Sequence, residues 1–237
     1  MSGQFESVDD VVLDEQLMYY RERAPEYDDW FERRGRYDRG DVATAAWHHE
    51  LATAREWLST LELEGMDVLE LAAGTGLWTA ELAALGASVT AVDAAPEMLE
   101  RLRQRVGGSP VTTIEVDLFY WQPPREFDAV VSCFFMSHVP DQRFDRFLDL
   151  LATSVRSGGQ VFLLDSTPNQ LSTAVDHRLP DDHVQTMRRR LDDGRSFQIV
   201  KRFRGDEELT SACERHGLVV DVARTPNYFQ VAIGSCL

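Results

Sequence analysis

The sequence predicts an α/β fold, an open and mostly parallel sheet with helices on both faces, and three observations carry that expectation. From residue 67 onward, short apolar runs alternate with amphipathic stretches of helical length, the pattern of strands joined through crossover helices. The first run breaks into the next stretch at a glycine bend, Gly74-Thr75-Gly76. Acids stand at the ends of the first three runs: Glu70, Asp93 and Asp117. Right-handed crossovers lay such strands in parallel, so a ligand is expected in the crevice beyond their carboxyl ends.

The chain opens with a helix over 13–23 that Pro25 ends or kinks. Asp41 is read as the N-cap of a helix over 42–61, where Ala46, His49, Leu51, Ala54, Trp57 and Leu58 recur at helical spacing and face a core. Strand 68–72 leads to helix 77–85, strand 88–92 to helix 96–106, and strand 111–116 to strand 127–133. A helix over 141–155 and the turn Ser157-Gly158-Gly159 precede a fifth strand at 160–164. Past Pro168 the pattern is less regular: a helix over 182–191, a strand over 196–203, a helix over 206–216 and strands at 218–223 and 228–234. The last three close the sheet.

Composition narrows the function classes. The length of 237 residues suits one domain with a cap, and 43% hydrophobic with 27% charged residues is globular. The longest nearly apolar run, 129–136, is far short of a bilayer span of ~20 residues. Residues 1–10 carry acids where a secretory signal carries bases. Cys133, Cys213 and Cys236 form no CxxC pair, which argues against a disulfide framework or a metal cluster and fits a reducing cytoplasm. A net charge of −16 repels nucleic acid and anionic lipid alike, so neither is expected as a partner. Against that background Arg188, Arg189, Arg190, Arg195, Lys201, Arg202 and Arg204 crowd one stretch, and Lys201 is the only lysine of the chain.

The glycine bend lets backbone approach a ligand that a side chain would exclude, although a tight turn without ligand would use the same glycines. Asp93 ends the second strand, where a carboxylate can accept both hydroxyls of a ribose or simply cap the next helix. Asp117, followed by Leu118 and Phe119, sets a carboxylate beside apolar surface, which suits an adenine amino group. A dinucleotide site would want a third glycine at Thr79 and has no use for Glu70, whereas a nucleoside with an amino-acid tail could place its ammonium there.

At these residues the chain resembles the class I S-adenosylmethionine-dependent methyltransferases. The segments ELAAGTG, VTAVDAAPEML, VDLF and FDAVVSCFFMSHV are similar to that family's successive cofactor motifs. The resemblance covers 62–166 and 205–235. It implies a Rossmann-like seven-stranded sheet with its last strand antiparallel, S-adenosyl-L-methionine as cofactor and S-adenosyl-L-homocysteine as product. It implies Glu70, Ala72, Gly74 and Gly76 around the methionine end, Asp93 on the ribose with Met98 packed nearby, and Asp117 with Leu118 on the adenine. Tyr20, Ala94, Phe119 and Cys133 complete the implied cofactor site. No metal is required, because in-line methyl displacement needs positioning and exclusion of water; His177 and His183 are read as loop residues.

The segment after the fourth strand faces the methyl group in such a sheet. It lacks the Asn/Asp-Pro-Pro-aromatic motif of enzymes acting on nucleic acid bases and the acid of a magnesium-dependent catechol site, so the acceptor is expected to be a small metabolite. His138 stands at this mouth as acid–base or orienting residue, with a buried histidine bonding a carbonyl as the plainer reading. A narrower resemblance lies in 16–28, 137–144 and 188–203, which are similar to a bacterial group of small-molecule O-methyltransferases that includes a phosphonate O-methyltransferase. It implies an acceptor site that includes His138 and Arg189; Tyr37, as the tyrosine of the cap expected to make contact, and Phe134, as crevice wall, are read as further acceptor-binding residues. The parts are then an N-terminal helical cap (1–61), a cofactor core (62–166), an acceptor-capping insertion (167–204) and the closing helix and strands (205–237). The expected reaction is methyl transfer to an oxygen of a small anionic metabolite, a phosphonate or carboxylate. A hydroxyl or fatty-acid carboxyl acceptor, a non-catalytic S-adenosylmethionine-binding module, an NAD-linked oxidoreductase and a homodimer stay open.

Overall fold

The computed structural model describes residues 7–181 and 183–237. Helix α1 (Asp10–Arg23) runs into a 3-10 turn at Ala24–Glu26, followed by α2 (Asp29–Glu32) and α3 (Asp41–Ser59). The core then alternates: β1 (Asp67–Leu71), α4 (Leu77–Ala84), β2 (Ser88–Asp93), α5 (Pro96–Val106), β3 (Val111–Glu115), β4 (Phe127–Cys133), α6 (Asp141–Ser154) and β5 (Val155–Ser166). A hairpin of β6 (Thr186–Arg190) and β7 (Ser196–Val200) precedes α7 (Asp206–Arg215), β8 (Leu218–Arg224) and β9 (Phe229–Cys236).

Seven strands form one sheet in the order β3-β2-β1-β4-β5-β9-β8, and β6 and β7 form a separate ribbon. Pairs from β3 through β5 are parallel, while β9 runs antiparallel to both β5 and β8. The Rossmann-like arrangement implied by the resemblance is therefore present, with its last strand antiparallel. Alternation along each strand feeds two cores. Val68, Ala129 and Val131 face the layer of α3, α4 and α5, where Trp47, Leu58, Leu82 and Leu99 pack. Leu69, Leu71 and Val130 face α6 and α7, with Phe147, Leu151 and Leu209. The chain order reverses between β1 and β4, and a crevice opens at that switch point beyond the strand ends.

Three expectations change. The helix over 182–191 is instead the first strand of the β6–β7 hairpin, and Asp182 lies outside the described residues. Met187, Arg189 and Leu191 are buried while Arg188 and Arg190 are exposed, a period of two that the run of arginines conceals. Gly194, at φ +91, makes the turn. The N-cap of α3 is Gly40, with Asp41 its first residue, and Asp38 accepts from the Gly40 N–H at 2.8 Å. His49 is exposed, and Trp47 fills the inward position with 0% exposure. Among the described residues, no helix is long and apolar enough to cross a membrane.

Candidate active site

A cavity of about 360 Å³ lies over the strand ends, within the size range of small-molecule sites. Ala72, Gly74, Asp93, Asp117 and Cys133 line it from the sheet, and Leu13, Leu17 and Tyr20 of α1 line it from the cap. Ala72 at φ +56 and Phe134 at φ +61 hold left-handed backbone where β1 and β4 end, strain of the kind that concentrates at functional sites. Asp93 ties the glycine bend to the start of α5: its carboxylate accepts from the Gly74 N–H at 2.8 Å and the Ala95 N–H at 2.9 Å. Burial raises its pKa, opposed by those backbone donors. Each oxygen keeps a lone pair for a ligand hydroxyl. Asp117 accepts from the Phe119 N–H at 2.8 Å, and Leu118 and Phe119 add a buried apolar wall. Arg143 closes over the Phe119 ring, 4.9 Å from its centroid, while pairing with Asp10 of α1 at 2.5 Å.

Tyr20, Tyr27, Phe134 and His138 also line a second, tighter pocket of about 20 Å³, so these four side chains stand between the two chambers. Arg189, Lys201 and Ser166 contribute its polar lining. The His138 ring is held at both nitrogens: Nδ1 lies 2.7 Å from the Val200 carbonyl and Nε2 lies 2.9 Å from the Tyr20 hydroxyl. A carbonyl only accepts, so Nδ1 carries the proton. Nε2 is then the acceptor of the Tyr20 O–H. Burial, reinforced by the charges of Lys201 and Arg189, holds the His138 pKa well below its ordinary value, and the ring is neutral. Lys201 donates to Ser137 Oγ at 2.7 Å and Ser166 Oγ at 2.9 Å, with Asp165 at 3.6 Å. Burial pulls its pKa down to about 8 despite Asp165. Arg189 is 6% exposed, its Nε has no partner, and no carboxylate pairs with it within 4.0 Å among the described residues.

The structure brings Tyr20, Ala72, Gly74, Asp93, Ala94, Met98, Asp117, Leu118, Phe119, Cys133, Phe134 and His138 to the larger cavity, and Arg189 to the smaller one beside His138. Three expected residues lie outside both linings. Glu70 is buried beneath the glycine bend, accepting from the Thr79 hydroxyl at 2.5 Å; burial, with Asp93 nearby, lifts its pKa to about 8. Gly76 serves packing: a Cβ there would stand 2.7 Å from Leu102 Cγ. Tyr37 sits in the α3-side core with its hydroxyl accepting from Arg23 at 3.1 Å, behind the lining of the smaller chamber. His177 is buried and accepts from the Arg190 N–H at 2.8 Å, with its pKa lowered to about 3 by burial and the charge of Arg189. Sequence reasoning missed Gln16, Arg23 and Arg143 and gave Tyr27 and Lys201 no individual role. The available signals were the 16/20/23 spacing on one helix face and the isolation of Lys201 as the chain's one lysine.

Comparison with known proteins bears on this geometry. A family model described as a methyltransferase domain matches residues 68–159. The structure of a DhpI–SAH complex superposes with a TM-score of 0.75 at 34% identity, over 97% of this chain and 99% of that one. The chain belongs to the S-adenosylmethionine-dependent methyltransferases. A DhpI–SAM–HEP complex matches this methyltransferase equally well, with a TM-score of 0.76 and 33% identity over 96% and 99% of the two chains. The ubiquinone biosynthesis O-methyltransferase of Xanthomonas euvesicatoria pv. vesicatoria (strain 85-10) is 36% identical over 135 residues, 54% of this chain. The chain thus spans about half the length of the curated relatives it matches, 56% in this case.

Proposed function

We propose that this methyltransferase transfers a methyl group from S-adenosyl-L-methionine to an oxygen of a small anionic metabolite, a phosphonate or carboxylate. The observation that carries the reading is Arg189, a buried guanidinium with no carboxylate partner, placed in a pocket with Lys201 and His138. An unpaired buried charge is strongly unfavourable, and an anionic head group would supply the missing counter-charge in a two-pronged hydrogen bond. The fit of the cofactor rests on donor chemistry: Asp93 and Asp117 offer carboxylate oxygens to a ribose and an adenine amino group, and Gly74, Met98, Leu118 and Phe119 surround them. The cofactor supplies a sulfonium methyl whose bond pair returns to sulfur on transfer. The protein's part is to hold, align and exclude water. Tyr20, Tyr27, Phe134 and His138, shared by both chambers, form the boundary across which the acceptor oxygen must be aimed.

An ionised phosphonate or carboxylate oxygen attacks with its own lone pair and has no proton to lose. A neutral His138 with Nε2 engaged by Tyr20 suits that chemistry as an orienting group. The N-terminal cap (1–61) and the insertion (167–204) cover the acceptor in this reading. The three cysteines are free, as in a reducing cytoplasm, where we place the reaction. An acceptor screen with labelled methyl donor across phosphonates, short carboxylates, fatty acids and phenols tests the proposal. Label should enter phosphonates or carboxylates; turnover confined to phenols would overturn it.

A further inference from the structure

Helix α1 turns a polar stripe inward. Gln16, Tyr20 and Arg23 recur at the i, i+4, i+7 spacing of one helix face. Gln16 stitches the acceptor side together: its amide donates to the His138 carbonyl at 3.2 Å and accepts from the Val200 N–H at 2.9 Å. Tyr20 engages the His138 ring. Arg23, one further turn along, lines the smaller pocket.

Arg23 is 3% exposed. Aromatic rings surround its cation, with Tyr27, Tyr19 and Tyr37 centroids at 4.7, 5.6 and 5.7 Å. It donates to the Tyr37 hydroxyl at 3.1 Å, its Nε has no partner, and among the described residues no carboxylate pairs with it within 4.0 Å. A guanidinium stays protonated and offers five donors. Around the pocket stand three cations, Arg23, Arg189 and Lys201, and Asp165 matches Lys201 at 3.6 Å. The two arginines are left uncompensated.

We propose that Arg23 is a second acceptor-binding residue, and that with Arg189 it makes the site select a head group carrying two negative charges over one carrying a single charge. The inference rests on the anionic-acceptor reading above. The tyrosines around Arg23 keep the guanidinium fixed without neutralising it, so its full charge is available to the ligand. Arg189 reaches the same pocket from the β6–β7 ribbon.

Calorimetry on the protein loaded with S-adenosylhomocysteine at neutral pH tests this with two probes. Methyl phosphate is a dianion above a second pKa of ~6, and acetate is a monoanion. The wild type should hold methyl phosphate about tenfold or more tighter than acetate. Arg23→Gln should lose about 10- to 100-fold in methyl phosphate affinity, the worth of one charge-assisted hydrogen bond, with acetate little changed. Arg23→Lys keeps the charge without the fork and should retain part of the preference, so selectivity can still be read if the neutral variant does not fold. Unchanged affinity for S-adenosylhomocysteine reports an intact fold. The proposal is overturned if Arg23→Gln keeps the full preference while Arg189→Gln loses it, or if both probes weaken together. A wild type that binds neither probe would instead bring down the anionic-acceptor reading itself.

Discussion

Replacing Arg189 by glutamine separates a ligand-binding arginine from a structural one. The side chain is 6% exposed and its Nε has no partner. A charge-assisted hydrogen bond to an anion is worth ~1.5–3 kcal/mol, so the acceptor KM should rise about 10- to 100-fold. Arg189 does not line the larger cavity, so affinity for S-adenosylhomocysteine should hold. The ligand-free protein loses an uncompensated buried cation, and its melting temperature should stay level or rise by a few degrees, at ~2–4 °C per kcal/mol for a chain of this size. The same charge presses down on His138 and His177, so both imidazoles should titrate at higher pH in the variant by NMR. Steady-state kinetics, calorimetry and a thermal melt complete the assay. A parallel loss of cofactor affinity, or an unchanged KM with a melting point several degrees lower, would refute the assignment.

Acid should weaken the fold through the same two histidines. Both pKa values are depressed in the folded state, to about 3 for His177, so the folded chain binds fewer protons than the unfolded one. Stability is whole above the ordinary histidine value of ~6.5 and falls below it by up to ~1.4 kcal/mol per pH unit for each ring. Urea unfolding across this range should show the slope, and His177→Gln should shrink it; an unaltered slope would contradict the burial argument. Glu70 has the opposite sign. Its folded pKa of about 8 means that stability falls as pH rises from the ordinary glutamate value of ~4.3 to about 8 and is level above it. Glu70→Gln mimics the neutral form and should melt higher than wild type in alkaline buffer, and a lower melt there would show that the site favours the charged carboxylate. Gly76→Ala places a methyl 2.7 Å from Leu102 Cγ at φ +80, and overpacking of this kind costs about 1–3 kcal/mol. An unchanged melting point would mean that α4 and α5 yield more easily than their contact implies.

The core was legible because its signals are local. Pro96 at the start of α5 and the apolar run of β4 mark those elements at the bounds the sequence suggests. The strand-end acids Asp93 and Asp117 could be read as crevice residues because parallel topology puts strand ends together whatever the loops do. Glu70 and Gly76 belong to the same motif yet act beneath it, a distinction that depends on burial depth and on Leu102, which is distant in sequence. The cap was harder to read. The inward face of α1 is made of Gln16, Tyr19 and Arg23, so the hydrophobic periodicity that reveals a packed helix is missing. In β6 three consecutive arginines hide a buried one between two exposed ones, and only the hairpin partner β7 sets which is which.

The uncompensated arginines sit inside a chain whose formal charge is −16. An anion meets repulsion at long range and attraction only at the end of its path. Mobile ions screen the first field over roughly 8 Å at physiological strength but reach the enclosed second one far less. Moderate ionic strength should therefore speed capture of a negatively charged metabolite by this protein, the reverse of the familiar case in which salt slows an oppositely charged encounter.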